Sequence, residues 1–97
     1  MEVISVLDCT VDEFKQYMFG KNLGEYRTHL VFITLAWERL LGIRTDMMRK
    51  INKREVSEKT PEIKKLFRDV YSKMTLLENK AIYLRSEIKR IEGMPLN

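Results

Sequence analysis

A seven-residue repeat of apolar side chains runs through two long segments of this 97-residue chain and limits what it can fold into. In the second segment the apolar positions are Ile63, Phe67, Val70, Met74, Leu77, Ala81, Leu84, Ile88 and Ile91. In the first they are Leu23, Tyr26, Leu30, Ile33, Trp37, Leu40, Met47 and Ile51, with Arg44 in the one charged position. Alternating steps of four and three residues keep one stripe of each helix facing a partner helix over many turns.

The two heptad stripes mirror each other when the second is folded back on the first. Trp37 then lies opposite Leu77, and the small Ala81 leaves room beside the indole, which favours interdigitated packing. Residues 52–60 form the reversing connection. We therefore predict an all-α fold: a long antiparallel two-helix coiled-coil hairpin plus a short N-terminal helix, which dimerises into a helical bundle.

Local chemistry marks the start of three helices. Thr10 and Glu13 match a capping box, and Asn22 begins a second capping motif. Thr60 supplies a capping hydroxyl before Pro61, which is suited to the first helical position. The predicted single domain, residues 1–97, contains an extended arm at 1–9, a short helix at 10–19 and long helices at 23–55 and 61–92.

The first residues are open to two interpretations. Residues 3–7 are short and β-prone, so they fit an extended arm or an edge strand, although no second strand is readable for pairing. Glu2 and the lack of a basic region argue against a signal peptide.

Composition excludes several classes of protein. Hydrophobic residues make up 44% and charged residues 33%, which excludes intrinsic disorder, and no apolar run is long enough to span a membrane. The single Cys9 favours a reducing, cytoplasmic setting. Cys9 and His29 are a conceivable nucleophile and base, but no third orienting group is readable. We expect no catalytic, cofactor or metal site, and we predict that the chain is not an enzyme.

Positive charge is concentrated between Arg49 and Arg68, a stretch that contains eight basic residues and only three acidic ones. In a hairpin these basic residues lie together at the tip. They form either a solvated face or a surface that contacts nucleic acid. The candidate nucleic-acid-binding residues are Arg49, Lys50, Lys53, Arg54, Lys64 and Lys65. Phe67 belongs to a heptad stripe, so the tip lacks the aromatic side chains that single-strand binders use for stacking.

Arg44 has two interpretations. Its stem can pack while its guanidinium reaches past the edge of the stripe, or the residue can fix the register or the oligomeric state.

Apolar residues outside the stripes predict association. Phe32 and Leu35 lie on the outer side of the first long helix, at the level of Leu76 and Tyr83 on the second. A ten-residue helix cannot cover both outer faces, so we expect a homodimer with these four residues in the oligomer or partner interface. The alternative is a monomeric three-helix domain with an apolar flank.

The sequence favours a non-enzymatic interaction protein that self-associates and binds or regulates another macromolecule, with a protein as the expected partner. The alternative is a nucleic-acid-binding protein that uses the basic tip. An inhibitor that docks on a larger enzyme would use the same surfaces.

Overall fold

A computed structural model describes residues 5–93, which form three helices. Helix α1 is Val11–Met18, α2 is Leu23–Asn52 and α3 is Pro61–Glu92. None of the described residues forms a strand. The all-helical fold is thereby confirmed, as is the packing of the two long helices against each other.

Helices α2 and α3 run antiparallel, as contacts between distant residues show. Arg27, early in α2, forms an ion pair with Glu92 at the end of α3. Further along, Trp37 Nε1 donates a hydrogen bond to Glu78 Oε1 at 2.9 Å. The first contact places the start of α2 beside the end of α3, and the second joins the middles of the two helices, so the pair makes an antiparallel helical hairpin.

The heptad stripes form the contact between these helices. Every stripe residue of α3 is buried or half-buried, and so is every stripe residue of α2 except Arg44. The exposed Arg44 fits the first interpretation of that residue, in which the guanidinium reaches past the edge of the stripe.

Capping chemistry fixes the beginning of α1. The Glu13 amide donates to Thr10 Oγ1, and the Thr10 amide donates to a Glu13 carboxylate oxygen, each at 3.1 Å. These two bonds satisfy amides that have no partner inside the helix. They hold the pKa of Glu13 below its ordinary value, chiefly through the bond from the Thr10 backbone.

The other two helix starts differ from each other. Asn22 and Glu25 form a second reciprocal capping box. Thr60, in contrast, makes no capping hydrogen bond through its side chain. Pro61 alone therefore marks the start of α3, because its fixed φ suits the first helical turn and it has no amide that needs a partner.

Residues 5–9 form a turn, not the extended arm predicted for 1–9; residues 1–4 of that arm lie outside the described residues. The amides of Asp8 and Cys9 both donate to the Ser5 carbonyl, at 3.1 and 3.0 Å. Ser5 Oγ also donates to the Asp8 carboxylate at 3.0 Å, which closes the turn. The backbone amides of Asp8 and Cys9 thus form their hydrogen bonds within the turn and not with a second strand.

Helix α2 ends at Asn52, three residues before the predicted 55, because Arg54 has a left-handed φ of 61°. The Glu55 amide donates to the Lys50 carbonyl at 2.9 Å, and the Arg54 amide donates to the Ile51 carbonyl at 3.0 Å. These two bonds make a Schellman motif, which closes the helix and turns the chain towards α3.

Burial is concentrated at one end of the hairpin, which we call the head, where α1 packs against α3. Seven buried residues form its core: Phe14, Met18, Tyr26, Ile33, Leu77, Ala81 and Leu84. Tyr26 also donates its hydroxyl proton to the Met18 carbonyl at 3.0 Å, which ties α1 to α2. At the other end, the tip (residues 49–68), two helices meet alone and their stripe residues stay half-buried.

None of the three helices in the described range has the combination of length and apolar character needed to cross a bilayer.

Candidate interaction surfaces

Three large apolar side chains project from two successive turns of α2, and we call them the α2 outer patch: Val31, Phe32 and Leu35. Their side chains are 55–56% exposed. Spacings of three and four residues place them side by side on one face of the helix. Two of the four predicted interface residues, Phe32 and Leu35, therefore lie together at the surface.

The patch continues along α2 towards the tip. Ile43, which is 41% exposed, lies three turns after Phe32 on nearly the same line of the helix. Gly42 lies seven residues after Leu35, and nothing approaches the point where its Cβ would be. The outer face thus has an apolar strip beside a stretch of uncovered backbone that another helix can approach closely.

The other two predicted interface residues, Leu76 and Tyr83, are half-buried. Tyr83 lies against α1, since its ring centroid is 6.2 Å from that of Phe14 in an edge-to-face arrangement. Burial, helped by a hydrogen bond with Tyr26, raises the pKa of Tyr83. The short helix α1 therefore covers part of the α3 surface that was predicted to lie in an interface with a second molecule.

A groove of about 410 Å³ lies between the middle turns of α2 and α3. Its walls include Trp37, Ala81 and Ile82, and no α1 residue lines it. The space that Ala81 leaves beside Trp37 is therefore open and not filled by interdigitation.

All six predicted nucleic-acid-binding residues are exposed at the tip. Arg49 and Lys50 approach the Asp46 carboxylate at 3.9 and 3.6 Å, within the same helix. Such surface pairs are weak, so these two cations remain accessible to another ligand.

A second groove, which we call the tip groove, opens at this end with a volume of about 500 Å³. It is lined by Arg44, Met48, Ile51, Glu58, Lys64, Phe67 and Arg68. Only Lys64 among these was a predicted binding residue. The sequence did not predict this groove; the one signal for it is the interruption of the first stripe by Arg44, because a charged residue in a stripe has to reach solvent.

Lys80 is a buried cation that the sequence reasoning missed. Its side chain is 0% exposed, and its Nζ donates to the Val6 carbonyl at 2.9 Å. The ammonium also lies 5.6 Å from the Phe14 ring centroid. Burial lowers the pKa of Lys80, while the neighbouring Cys9, Asp8 and Glu13 act in the opposite direction.

Cys9 and His29 make separate hydrogen bonds. Cys9 Sγ is 3.9 Å from the Val6 carbonyl oxygen, to which it donates weakly. His29 Nδ1 lies 2.7 Å from the Glu25 carbonyl oxygen, so the proton is on that nitrogen. The His29 ring packs near Tyr17, at 5.7 Å between centroids. The geometry gives His29 a packing role against α1.

Within residues 5–93, no three His, Cys, Asp or Glu side chains are grouped closely enough to hold a metal ion. Comparison of the chain with protein-family models, curated proteins and solved structures gives no match.

Proposed function

We propose that the chain is a non-enzymatic interaction protein that self-associates through the α2 outer patch and binds or regulates another macromolecule. The observation that supports this most strongly is the exposure of Val31, Phe32 and Leu35 on one face of α2. Contiguous apolar surface of this kind is characteristic of protein interfaces, because burying it removes apolar area from water.

The shape of the molecule supports the same proposal. Its principal extents are 62 × 30 × 15 Å, so it is thin in one direction. Two such hairpins that pack their α2 outer faces together form a four-helix arrangement related by a twofold axis. Gly42 favours close approach of the two α2 helices, because no atom lies near the position of an added Cβ.

Light scattering over a range of concentrations tests self-association. We expect the wild type to have twice the monomer mass of 11.6 kDa at high concentration. Leu35→Asp places a charge in the patch and should give a monomer with unchanged helicity. Ser72→Asp is the matched control, since it adds the same charge on an exposed site of α3. A monomeric wild type, or a folded Leu35→Asp with wild-type mass, contradicts the proposal.

Nucleic-acid binding is the second candidate function, and the exposed bases of the tip favour it. Neutralisation of several phosphates makes binding strongly salt-dependent. Under this alternative, affinity for generic duplex or single-stranded nucleic acid falls steeply with salt, and the double variant Lys53→Glu/Arg54→Glu abolishes it. Failure to bind at low salt removes this alternative and leaves the first proposal intact.

A further inference from the structure

We propose that the tip groove binds an acidic amphipathic segment of a partner protein. This inference rests on the proposed function, because it names the chemistry of the macromolecule that the chain binds. It concerns a different surface from the α2 outer patch, so the two can fail separately.

The rim of the groove selects for negative charge. Arg44, Lys64 and Arg68 line it, against a single acidic residue, Glu58. Among the described residues, no carboxylate lies within ion-pair distance of these three cations, whereas Asp46 engages Arg49 and Lys50. Within residues 5–93 the three rim cations therefore have no ion-pair partner to exchange when a carboxylate of another molecule arrives.

The floor of the groove selects for apolar side chains. Met48 is 45% exposed, and Ile51 and Phe67 are half-buried beside it. A flexible thioether adapts to side chains of different shapes. A volume of about 500 Å³ lies within the range of sites that enclose several ligand groups.

Together these features match the recognition of an amphipathic helix. Such a helix lays apolar residues at spacings of three and four into a groove, and its remaining positions meet the rim. Acidic residues at those positions face the three cations of the tip groove. Charge complementarity then sets the choice of partner and the rate of encounter, while the floor supplies burial.

The same lining disfavours nucleic acid as the occupant. Single-strand binders stack bases on exposed aromatic rings, but Phe67 is half-buried and the rest of the floor is aliphatic. Glu58, the one acidic residue of the lining, repels a phosphate and a peptide carboxylate alike, so it does not separate the two occupants. The half-buried ring and the apolar floor favour an occupant that brings apolar side chains, as a peptide does.

Fluorescence anisotropy with labelled synthetic peptides tests the inference. The probes are a panel of helical peptides of about 18 residues, with leucines at groove-facing positions and glutamates elsewhere. Control peptides replace all glutamates by lysine or all leucines by serine. We expect the acidic amphipathic peptides to bind with a Kd of order 10 µM, and each control to bind at least about tenfold more weakly.

Protein variants locate the binding site. Arg68→Glu and Lys64→Glu should each weaken binding about tenfold, because they reverse a rim charge. Lys89→Glu is the matched control, since it makes the same charge change on the exposed surface at the head. We expect it to retain wild-type affinity. Circular dichroism of each variant shows that the helices are kept.

The inference is overturned if no peptide of the panel binds, or if Lys89→Glu weakens binding as much as Arg68→Glu. It is also overturned if single-stranded DNA binds the tip while the acidic peptides do not. Sensitivity of the oligomeric mass to Arg68→Glu would also overturn it, because the groove would then hold a second copy. Loss of peptide binding with intact self-association contradicts this inference alone and leaves the proposed self-association standing.

Discussion

At the scale of single residues, Lys80 shows how burial depends on neighbours that are remote in sequence. It lies beside the second heptad stripe, three residues after Leu77, where lysine is ordinarily exposed. The turn at residues 5–9 closes over it and supplies the Val6 carbonyl as acceptor. No periodicity predicts this contact, because it joins residues 74 positions apart.

The lowered pKa of Lys80 predicts a pH dependence of stability. Between its pKa in the folded protein and its ordinary value of 10.5, the folded state binds fewer protons than the unfolded chain. The free energy of unfolding therefore rises as the pH increases through that interval. We expect urea midpoints of a Cys9→Ser protein to increase as the pH rises towards about 9.5, below the ordinary pKa of 10.5, and this increase to be lost when Lys80→Met is added.

The Cys9→Ser background and the upper limit of the pH range reduce the contribution of other titrating groups, and the comparison with Lys80→Met isolates that of Lys80. Cys9→Ser removes the neighbouring thiol, and Glu13, whose pKa is lowered, stays ionised throughout. Tyr83 has a raised pKa, so above about pH 10 its ionisation in the unfolded chain lowers stability instead. Parallel curves with and without Lys80→Met would refute the assignment.

At the scale of helices, the ends of α2 and α3 depend on single dihedral angles as well as on apolar periodicity. Heptad spacing predicts both long helices, but it also allows α2 to continue to residue 55. The left-handed conformation of Arg54 stops it earlier. Glycine adopts this conformation without the steric cost that a side chain incurs.

Arg54→Gly is therefore expected to stabilise the hairpin by about 0.5–1 kcal/mol. Lys53, one residue before it, has a φ of −83°, so Lys53→Gly removes the same charge without relieving a left-handed side chain. We expect that control to be neutral or destabilising. Urea unfolding of both variants measures the difference. Equal effects of the two substitutions would mean that charge at the tip, and not backbone conformation, controls the change.

The sequence predicted the hairpin because each stripe is a local pattern repeated over many turns, and its mirrored steps place every stripe residue of one helix opposite a stripe residue of the other. It missed the turn at 5–9, whose hydrogen bonds to Ser5 replace strand pairing, and the covering of Tyr83 by Phe14. Both depend on where α1 docks, and an eight-residue helix with one apolar side fits several positions on a larger surface.

The candidate surfaces were predictable to different extents. Phe32 and Leu35 are exposed because they lie outside the stripe, which the spacing alone indicates. The tip groove depends on how Arg44 and Arg68 approach each other across two helices. Sequence separates those residues by 24 positions, so only the structure brings them to one cavity.

At the scale of the whole molecule, burial divides the hairpin into a three-helix head and a two-helix tip. The head contains the residues with the lowest exposure, whereas the stripe residues around the tip are half-buried. Both proposed binding surfaces depend on one condition: α2 and α3 of the same chain must pack together. If the stripes instead joined different copies, the α2 outer patch and the tip groove would have other neighbours.

The most direct test of this central claim is a spin-label distance measurement. In a Cys9→Ser background, cysteines at the exposed positions Thr28 and Lys89 carry the labels, and excess unlabelled protein removes distances between copies. Packed helix axes lie about 8–10 Å apart, so the labels should show a short distance of roughly 20–30 Å. At about 1.5 Å per residue, an opened rod separates them by roughly 90 Å, and that longer distance would contradict the intramolecular hairpin.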